Sequence, residues 1–541
     1  MKTHLLNLEN ETTLKKLSQD MHPNALCARV NGRLRELNYR LKGRHEIIFL
    51  DLTSRDAMRI YETSLRYMIL KILFEKDPNI KVKFDYSISR SIYMSISGNK
   101  NNIDISSFLN RKLKDLSEQA IPIERITKTT KEIKKLYLDN NMTHKVKIFK
   151  YRDDKFSRVY KCEKYINYLY GYMVPDTSYI KNFNVFSYNN GFIIQYPRSD
   201  LNGNIPVFKE EDKYKISLKK AAFWSKIING DTIDRINDYS SSKIKSVSFI
   251  QMCESKHSSM LYELGHEISI RYDQLKLIAI AGPSSSGKTT FARRLEIELL
   301  SKGLNPIRIS IDDYYLHPNE VPKDEKGKPD LEHINALDVI RFNNDIKSLI
   351  NGETVLLPHF NFHTKQREKG KTLKLKKDQV ILIEGIHALN EKLTSSISRE
   401  KKYLIYISPQ TQLHIDRESP IKSSDIRLLR RIVRDCVYRN TSAEETIAMW
   451  PSVRKGEFRW IYGNQKYADY IFNSELTYEL SVLKKHAIKR LKIIDDSSPQ
   501  FMKANYLLKF LKYIREIDNS FVPNQSLIRE FIGGSVFEWK H

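Results

Sequence analysis

The sequence predicts a multidomain protein of α/β and α+β class, in which a parallel sheet covered by helices follows a small β-rich module and an α+β domain. Three observations lead to this prediction. The chain has 541 residues, too many for one hydrophobic core, so two to four domains are expected. Its hydrophobic fraction of 40% is ordinary for a globular protein. In its second half, apolar strand-like runs alternate with helical stretches, as in a parallel sheet.

The first half changes its periodicity near Ser54. Before it, "ALCARVNGRLREL" and "HEIIFLDL" are short stretches typical of a β-rich module. After it, "SRDAMRIYETSLRYMILKILFEK" has the spacing of a helix that Ser54 caps. Strand-like pieces such as "KVKFDYSI" and "GFIIQYP" follow. The predicted units are 1–55 (β-rich module), 56–235 (α+β domain), 236–273 (helical connector), 274–480 (α/β unit) and 481–541 (C-terminal helical segment).

Composition narrows the class of protein. The formal net charge is +26, but the basic excess is spread along both halves without a basic tail, so nucleic acid is not excluded as a partner yet is not expected as the main one. No apolar run reaches the ~18 residues of a membrane span, and "MKTHLLNLENETTLKK" lacks the features of a secretion signal. The four cysteines form no CxxC pair, which favours a reducing cytosol. We therefore expect a cytoplasmic protein with no membrane partner; a homo-oligomer stays open.

The most informative stretch is "IAIAGPSSSGKTTFARRL", residues 278–295. An apolar strand leads into a loop of small residues, and a helix begins near Lys288. Backbone N–H groups in such a loop cradle a polyphosphate at the helix N-terminus, the lysine reaches the outer phosphates, and Thr289 offers its hydroxyl to Mg²⁺. The pattern predicts a P-loop that binds ATP. Its predicted ATP-binding residues are Gly282, Pro283, Ser284, Ser285, Ser286, Gly287, Lys288, Thr289 and Thr290.

Two carboxylates follow predicted strands of the same unit. The strand candidates are 275–281, 306–311, 379–384 and 403–407. Asp312 comes directly after the second, and Glu384 ends the third. Ligands bind at the carboxyl ends of strands in open α/β sheets, so Asp312 is a candidate proton acceptor and both acids are candidate Mg²⁺ ligands, partly through water. The alternatives are a helix-capping Asp and a solvent-exposed Glu.

The run "DIRLLRRIVRD" places arginines at positions 427, 430, 431 and 434. This spacing puts four guanidinium groups on one helical face. In a phosphate-handling enzyme, such a face predicts a lid that neutralises the transferring phosphoryl group. The alternative is a solvated charged face.

Six motifs then resemble, in order, those of the uridine kinase and phosphoribulokinase family: "GPSSSGKTTFARRL", "SIDDYY", "LEHINALD", "PHFNFHTKQR", "ILIEGIHAL" and "LLRRIVRD". The resemblance implies that Asp312 is the general base and that Glu332 holds the ribose hydroxyls. The other family positions fall on Tyr315, Phe360, Lys365 and Arg367 for the substrate and on Arg431, Arg434 and Arg439 for the phosphates. Phe360 replaces the base-contacting tyrosine of uridine kinases and Lys365 their histidine, which keeps stacking but removes their hydrogen bonding to the base.

The first half resembles the N-terminal module and editing domain of threonyl-tRNA synthetase, through "NALCARVNGRLRELNYRL", "HEIIFLDLTSRDAMRIYETSLRYMIL" and "YGYMVPDTSYIKNF". The editing domain uses three His and one Cys. Those positions hold Thr63, Tyr67, Leu169 and Met173 here, none of which serves as His or Cys does in metal binding or base catalysis. We therefore expect no editing chemistry, and a pocket or interdomain contact instead. Some bacterial nucleoside kinases resemble this same fusion, and "SLIREFIGGS" resembles their shared ending.

Together these features predict an ATP- and Mg²⁺-dependent kinase that phosphorylates the 5′-hydroxyl of a uridine- or cytidine-like nucleoside. Two alternatives remain open: a kinase for another small hydroxyl substrate such as a sugar phosphate, and an RNA-binding or regulatory protein that uses ATP as a switch. A switch protein needs no acid placed to hold a ribose, so Asp312 together with Glu332 separates the kinase from the ATP switch.

Overall fold

The structure is a computed structural model that describes residues 2–98, 104–151, 154–323, 327, 329–361, 364 and 366–537. Among these residues, none of the helices combines the length and the apolar character that crossing a membrane requires.

The chain begins with a small antiparallel sheet in the order β1-β4-β2-β3. Strands β2 and β3 are joined by Asn31 and Gly32, whose φ angles of 45° and 73° give the tight hairpin that an Asn-Gly pair favours. One face of the sheet packs on a helix, which explains the alternation of buried and exposed residues along β4. The elements are β1 (His4–Thr13), α1 (Leu14–Met21), β2 (Cys27–Val30), β3 (Arg33–Glu36) and β4 (Arg40–Leu50).

A long helix, α2 (Arg55–Lys76), is the core of the next part of the chain. Ser54 caps it by accepting a hydrogen bond from the backbone of Asp56, as the sequence predicts. Most of its side chains are buried, because sheets lie around it in the orders β10-β11-β6-β5 and β7-β8-β9. The further elements are β5 (Lys81–Ile88), β6 (Ser91–Ser97), α3 (Ile105–Gln119), β7 (Glu124–Thr129), α4 (Thr130–Asp139), α5 (Thr143–Lys147), β8 (Phe156–Cys162), β9 (Tyr165–Asn167), β10 (Asn184–Tyr188) and β11 (Gly191–Gln195).

Three helices then lead into the second half of the chain: α6 (Asp212–Ile227), α7 (Ile233–Tyr239) and α8 (Lys243–Arg271). The longest of them, α8, packs along α9 of the following unit. Its apolar side chains share one hydrophobic core with that unit.

The second half is built on a five-stranded parallel sheet in the order β13-β16-β12-β17-β18. Alternate residues of the central strands enter two separate cores, one on each face, so these strands read as continuous apolar runs. Its elements are β12 (Leu277–Ala281), α9 (Lys288–Leu300), β13 (Asn305–Ser310), α10 (Val339–Ile350), the hairpin β14 (Val355–Asn361) and β15 (Gln366–Leu373), β16 (Gln379–Glu384), β17 (Lys402–Ser408), α11 (Ser423–Tyr438), α12 (Ala443–Gly456), β18 (Tyr470–Asn473), α13 (Glu479–Leu491), α14 (Phe501–Leu511) and α15 (Arg529–Ile532).

The predicted parallel sheet is confirmed, and each of the four predicted strands is present to within about two residues. The edge strand β18 and the β14–β15 hairpin were not predicted. Helices α13 to α15, predicted as a separate C-terminal segment, contribute Leu483, Leu507 and Phe531 to the same core as Ile278 of the sheet.

The two halves of the chain are joined by buried ion pairs. Lys145 is fully buried, and its ammonium group lies 3.1 Å from Asp416 Oδ2 and 2.6 Å from Glu418 Oε2, while it donates to the Tyr168 carbonyl at 2.7 Å. These acids lie in residues 413–422, which we call the approach segment because they lead directly into α11. Glu62 of α2 pairs with Lys422 at the end of that segment. Helix α11 is therefore anchored on the first half of the chain.

Candidate active site

The loop between β12 and α9 has the backbone that a phosphate-binding loop needs. Gly282 has no room for a side chain, since a Cβ there would lie 2.0 Å from the Ile407 carbonyl oxygen. Gly287 has a φ of +90°, in the left-handed region that favours glycine. The Lys288 ammonium group donates to the carbonyls of Gly282 at 3.0 Å and Pro283 at 3.2 Å, so the side chain folds over the loop. Burial lowers the pKa of Lys288, against the opposing effect of nearby carboxylates.

Two carboxylates lie at the carboxyl edge of the sheet beside this lysine. Glu384 ends β16, next to β12, and accepts a hydrogen bond from the Thr289 hydroxyl at 3.4 Å. Burial and the neighbouring Asp312 raise the pKa of Glu384 to about 7. Asp312 lies in the helical turn after β13; burial raises its pKa, while Lys288 and Arg439 oppose that rise. Two crowded acids facing a hydroxyl and an ammonium form an oxygen-donor set that suits Mg²⁺.

The arginine face of α11 is only partly what the sequence predicts. Arg427 and Arg430 are buried and do not belong to a lid. Arg427 forms a forked ion pair with Glu457, at 2.7–2.8 Å. Arg430 pairs with Glu479 at 2.5 Å and also donates to loop carbonyls. A buried guanidinium group is stable only when it is paired, and carboxylates outside α11 neutralise both of these arginines.

The other arginines of α11 face the loop. Arg431 donates to the Ser284 hydroxyl at 2.8 Å, which places its guanidinium at the P-loop. The buried Asp435 accepts from Arg431 at 3.1 Å and from Arg434 at 2.7 Å, and Arg439 lies 3.8 Å away. Asp435 thus gathers three guanidinium groups. Arg434 is the largest cause of the lowered pKa of Arg439, so positive charge is concentrated here.

The predicted substrate residues line the same edge. The pKa of Tyr315 is well above its usual range, first because the residue is partly buried and then because of the negative charges of Asp312 and Glu332. Burial and Glu457 raise the pKa of Glu332 to about 7, against Arg431 and Lys288. Tyr315 therefore lies close enough to both acids to feel their charge.

The β14–β15 hairpin packs against the turn that carries Asp312 and Tyr315. Asp313 accepts a hydrogen bond from the backbone N–H of Phe360 at 3.2 Å, which fixes the hairpin to the turn that carries Asp312. The Phe360 ring lies 5.8 Å from that of Tyr315, centroid to centroid. Arg367 is held by Asp338 at 2.7 Å. Lys365 lies outside the described residues.

Comparison with known proteins gives the family. The profile of the phosphoribulokinase / uridine kinase family matches residues 277–481. A uridine kinase of Macrococcus caseolyticus (strain JCSC5402) is 31% identical over 196 residues, which cover 36% of this chain and 86% of that enzyme. The chain belongs to the phosphoribulokinase and uridine kinase family. A uridine kinase of Ligilactobacillus salivarius (strain UCC118) is 27% identical over 219 residues, covering 40% of the chain and 94% of that enzyme.

Among solved structures, a possible uridine kinase from Bacillus stearothermophilus covers 28% of the chain and 81% of its own length, with 21% identity and a TM-score of 0.22. The family match lies wholly in the second half. That half is a P-loop kinase domain that binds ATP.

Some residues that shape this kinase site have no clear signal in the sequence. Asp435 follows Arg431 by one helical turn, so the "RRIVRD" run does contain it. Glu457 and Glu479, which neutralise Arg427 and Arg430, lie 30 and 49 residues farther along the chain, and no motif marks them.

The four positions of the editing-domain resemblance do come together, but as core. Thr63, Tyr67, Leu169 and Met173 are all buried, and the latter three belong to one hydrophobic cluster. The Tyr67 hydroxyl donates to two backbone carbonyls, at 3.0 and 3.1 Å, and the Thr63 hydroxyl donates to that of Arg59. The expectation that these hydroxyls line a pocket is therefore wrong, because both are buried and donate their hydrogen bonds to backbone carbonyls.

Proposed function

We propose that the protein transfers the γ-phosphoryl group of ATP to the 5′-hydroxyl of a uridine- or cytidine-like nucleoside. The observation that carries this proposal is that the charges of Asp312 and Glu332 both act on Tyr315, while Asp312 also acts on Lys288 of the P-loop. One acid suits the proton of an attacking hydroxyl, and the other suits a pair of ribose hydroxyls. The similarity to uridine kinases in the matched region supports the same assignment.

In the proposed mechanism, the N–H groups of residues 282–290 hold the phosphates, and Lys288 balances their outer charge. Arg431 and Arg434, already gathered by Asp435, stabilise charge that develops on the transferring group. Asp312 accepts the proton of the 5′-hydroxyl; its raised pKa makes it a stronger base than an exposed aspartate.

Thr289 and Glu384 would hold Mg²⁺, with Asp312 completing the set partly through water. When bound, the metal would supply positive charge that offsets the charge of the nucleotide phosphates. The raised pKa of Glu384 fits this role, since two crowded carboxyl groups favour a cation between them.

On the acceptor side, Glu332 holds the ribose and Phe360 stacks on the base. A phenyl ring offers no hydrogen bond, so we expect discrimination between bases to be weaker than at a site that reads the base by hydrogen bonds. Arg367 is already engaged by Asp338, which leaves it less suited to hold the phosphate of a sugar phosphate.

A panel assay tests the proposal. The full chain is mixed with ATP and Mg²⁺, and ADP is measured with no acceptor, with each common nucleoside, and with sugar phosphates. We expect that adding a pyrimidine nucleoside yields two products, ADP and the 5′-monophosphate of that nucleoside. ADP that forms only with a sugar phosphate, or equally without any acceptor, contradicts the proposal and favours the other kinase or the ATP switch.

We also propose that the first half, with units 1–55 and 56–235, is a non-catalytic scaffold for α11, linked through the connector 236–273. Its support is the ion pairing within the approach segment and at the start of α11. Lys145 holds Asp416 and Glu418, Glu62 holds Lys422, and Arg59 reaches Asp425 in the first turn of α11 at 3.3 Å.

The variant Glu62→Gln tests this scaffold. It leaves Lys422 with a weakened partner in a buried setting, so we expect both the unfolding midpoint and the turnover to fall. Glu118→Gln, an exposed position on α3, is the matched control and should change neither. Unchanged turnover in a destabilised Glu62→Gln enzyme would show that the first half does not position α11.

A further inference from the structure

Residues 526–533, which we call the α15 segment, lie against the P-loop. Leu527 is almost fully buried and fills the space beside Gly287, where a Cβ would lie 2.4 Å from its Cδ2 atom. Phe531 lies against the guanidinium of Arg430, 5.2 Å from the ring centroid. Arg430 in turn donates to the carbonyls of Ser285 and Ser286 at 3.3 and 3.4 Å. The segment is therefore part of the packing that shapes the loop.

From this segment, a carboxylate reaches the N-terminus of the P-loop helix. Glu530 Oε2 accepts a hydrogen bond from the backbone N–H of Thr290 at 3.2 Å. Thr290 is the third residue of α9, so its N–H is one of the donors that the helix itself leaves free. In a P-loop those donors face the phosphates of the nucleotide. Glu530 is also among the carboxylates that act on the pKa values of Lys288 and Glu384.

The position of Glu530 is fixed by its neighbours. Arg529 donates to the carbonyls of Asn519, Val522 and Gly533, at 2.9, 2.6 and 3.1 Å, and so ties the turn together. Ser526, at the start of the turn, donates to the buried Glu254 of α8 at 2.5 Å. This network holds the backbone around Glu530 in place. To leave the Thr290 N–H, the Glu530 carboxylate must therefore move by rotation of its own side chain.

We propose that Glu530 is a built-in competitor of the nucleotide phosphates. Its carboxylate takes the place of a phosphate oxygen on the Thr290 N–H and adds a negative charge where the polyphosphate binds. ATP binds only after this carboxylate has turned away, so the α15 segment sets the affinity of the P-loop for nucleotides. The inference rests on the nucleotide-binding role of the loop and is independent of which acceptor the kinase uses.

The test is a set of binding titrations of the full chain with ATP, ADP and AMP, without acceptor, by calorimetry. Glu530→Gln removes the charge, and Glu530→Ala removes the hydrogen bond as well. Glu516→Gln makes the same change of charge at an exposed site of the same C-terminal region. We expect both Glu530 variants to lower the Kd for each nucleotide by about 2- to 5-fold, the usual range of a carboxylate interaction at a helix N-terminus. The control and the affinity for adenosine, which has no phosphate, should not change.

Three results would overturn the proposal. A higher Kd in the Glu530 variants would make this residue a support of the bound nucleotide, and an unchanged Kd would make it a surface contact. An equal gain for adenosine would show a general loosening of the segment, which the thermal unfolding midpoints of the variants would also reveal. If no protein in the set bound ATP, the nucleotide-binding role itself would fail, which is a different outcome from each of these.

Discussion

Glu332 should make the stability of the protein depend on pH in a direction opposite to that of a carboxylate whose pKa is lowered by an ion pair. Its pKa rises from 4.5 to about 7, first because of burial and then because of Glu457, while Arg431 and Lys288 act against the rise. A carboxyl group with a raised pKa binds its proton more tightly in the folded state. Its contribution to stability is therefore fully present below pH 4.5 and is lost as pH rises through 7.

The full shift corresponds to about 3 kcal/mol, at 1.36 kcal/mol for each pKa unit. Part of the Glu332 side chain reaches solvent, so we expect about half of that value, roughly 1–2 kcal/mol. Glu332→Gln keeps the shape and removes the titration. The free energy of unfolding of the wild type, relative to this variant, should therefore fall by that amount between pH 5 and pH 8.

Urea unfolding of both proteins at half-unit steps of pH measures this difference. Glu353→Gln, at an exposed position, is the control, and its difference from the wild type should be flat across the range. A flat profile for Glu332→Gln, or a wild type that gains stability over the variant as pH rises, would refute the reasoning and show that Glu332 is ionised throughout.

Four further predictions follow from the kinase domain and the first half. Lys288→Ala should lower turnover by ~10²-fold or more at an unchanged unfolding midpoint, because a positioned charge is lost; a soluble variant that keeps a tenth of the turnover contradicts this. Asp312→Asn should lower turnover by roughly 10²–10⁴-fold and spare ATP binding in titrations, since it removes the proton acceptor; a collapse of ATP affinity would make it a nucleotide ligand. Arg430→Met should lower the free energy of unfolding in urea by about 3–5 kcal/mol, because it leaves the buried Glu479 carboxylate unpaired. Arg434→Met should mainly lower turnover. Equal losses of stability in the two variants would contradict the distinction between a structural and a loop-facing arginine. The full chain should not hydrolyse mischarged tRNA and should contain no stoichiometric zinc by elemental analysis; hydrolysis that disappears in Tyr67→Phe would show an active site where we see core.

Features formed by residues close together in the chain can be predicted from the sequence. The P-loop is contiguous, so its strand, turn and helix could be placed in advance. Asp312 and Glu384 were located by the ends of two apolar strands, and the structure does bring both beside Lys288. Their catalytic roles stay predictions.

What the sequence did not predict depends on distant partners. The four arginines of α11 look alike in sequence, and only the carboxylates of other elements separate the buried pair from the loop-facing pair. Tyr67 is similar: its hydroxyl is satisfied by carbonyls 93 and 98 residues away, which no helical pattern reveals. Glu530 meets Thr290 across 240 residues.

The buried Lys145 has a consequence for how the protein matures on the ribosome. Its carboxylate partner Asp416 is 271 residues farther along the chain. At about 5–20 residues per second, the lysine is made about 15–55 s before that partner. Burying an unpaired ammonium group costs several kcal/mol, by order of magnitude. Helix α5 is therefore expected to stay hydrated and undocked during that interval. The first half is therefore translated first but completed late, and a chaperone that covers the unfinished surface around α5 would have its main role in those seconds.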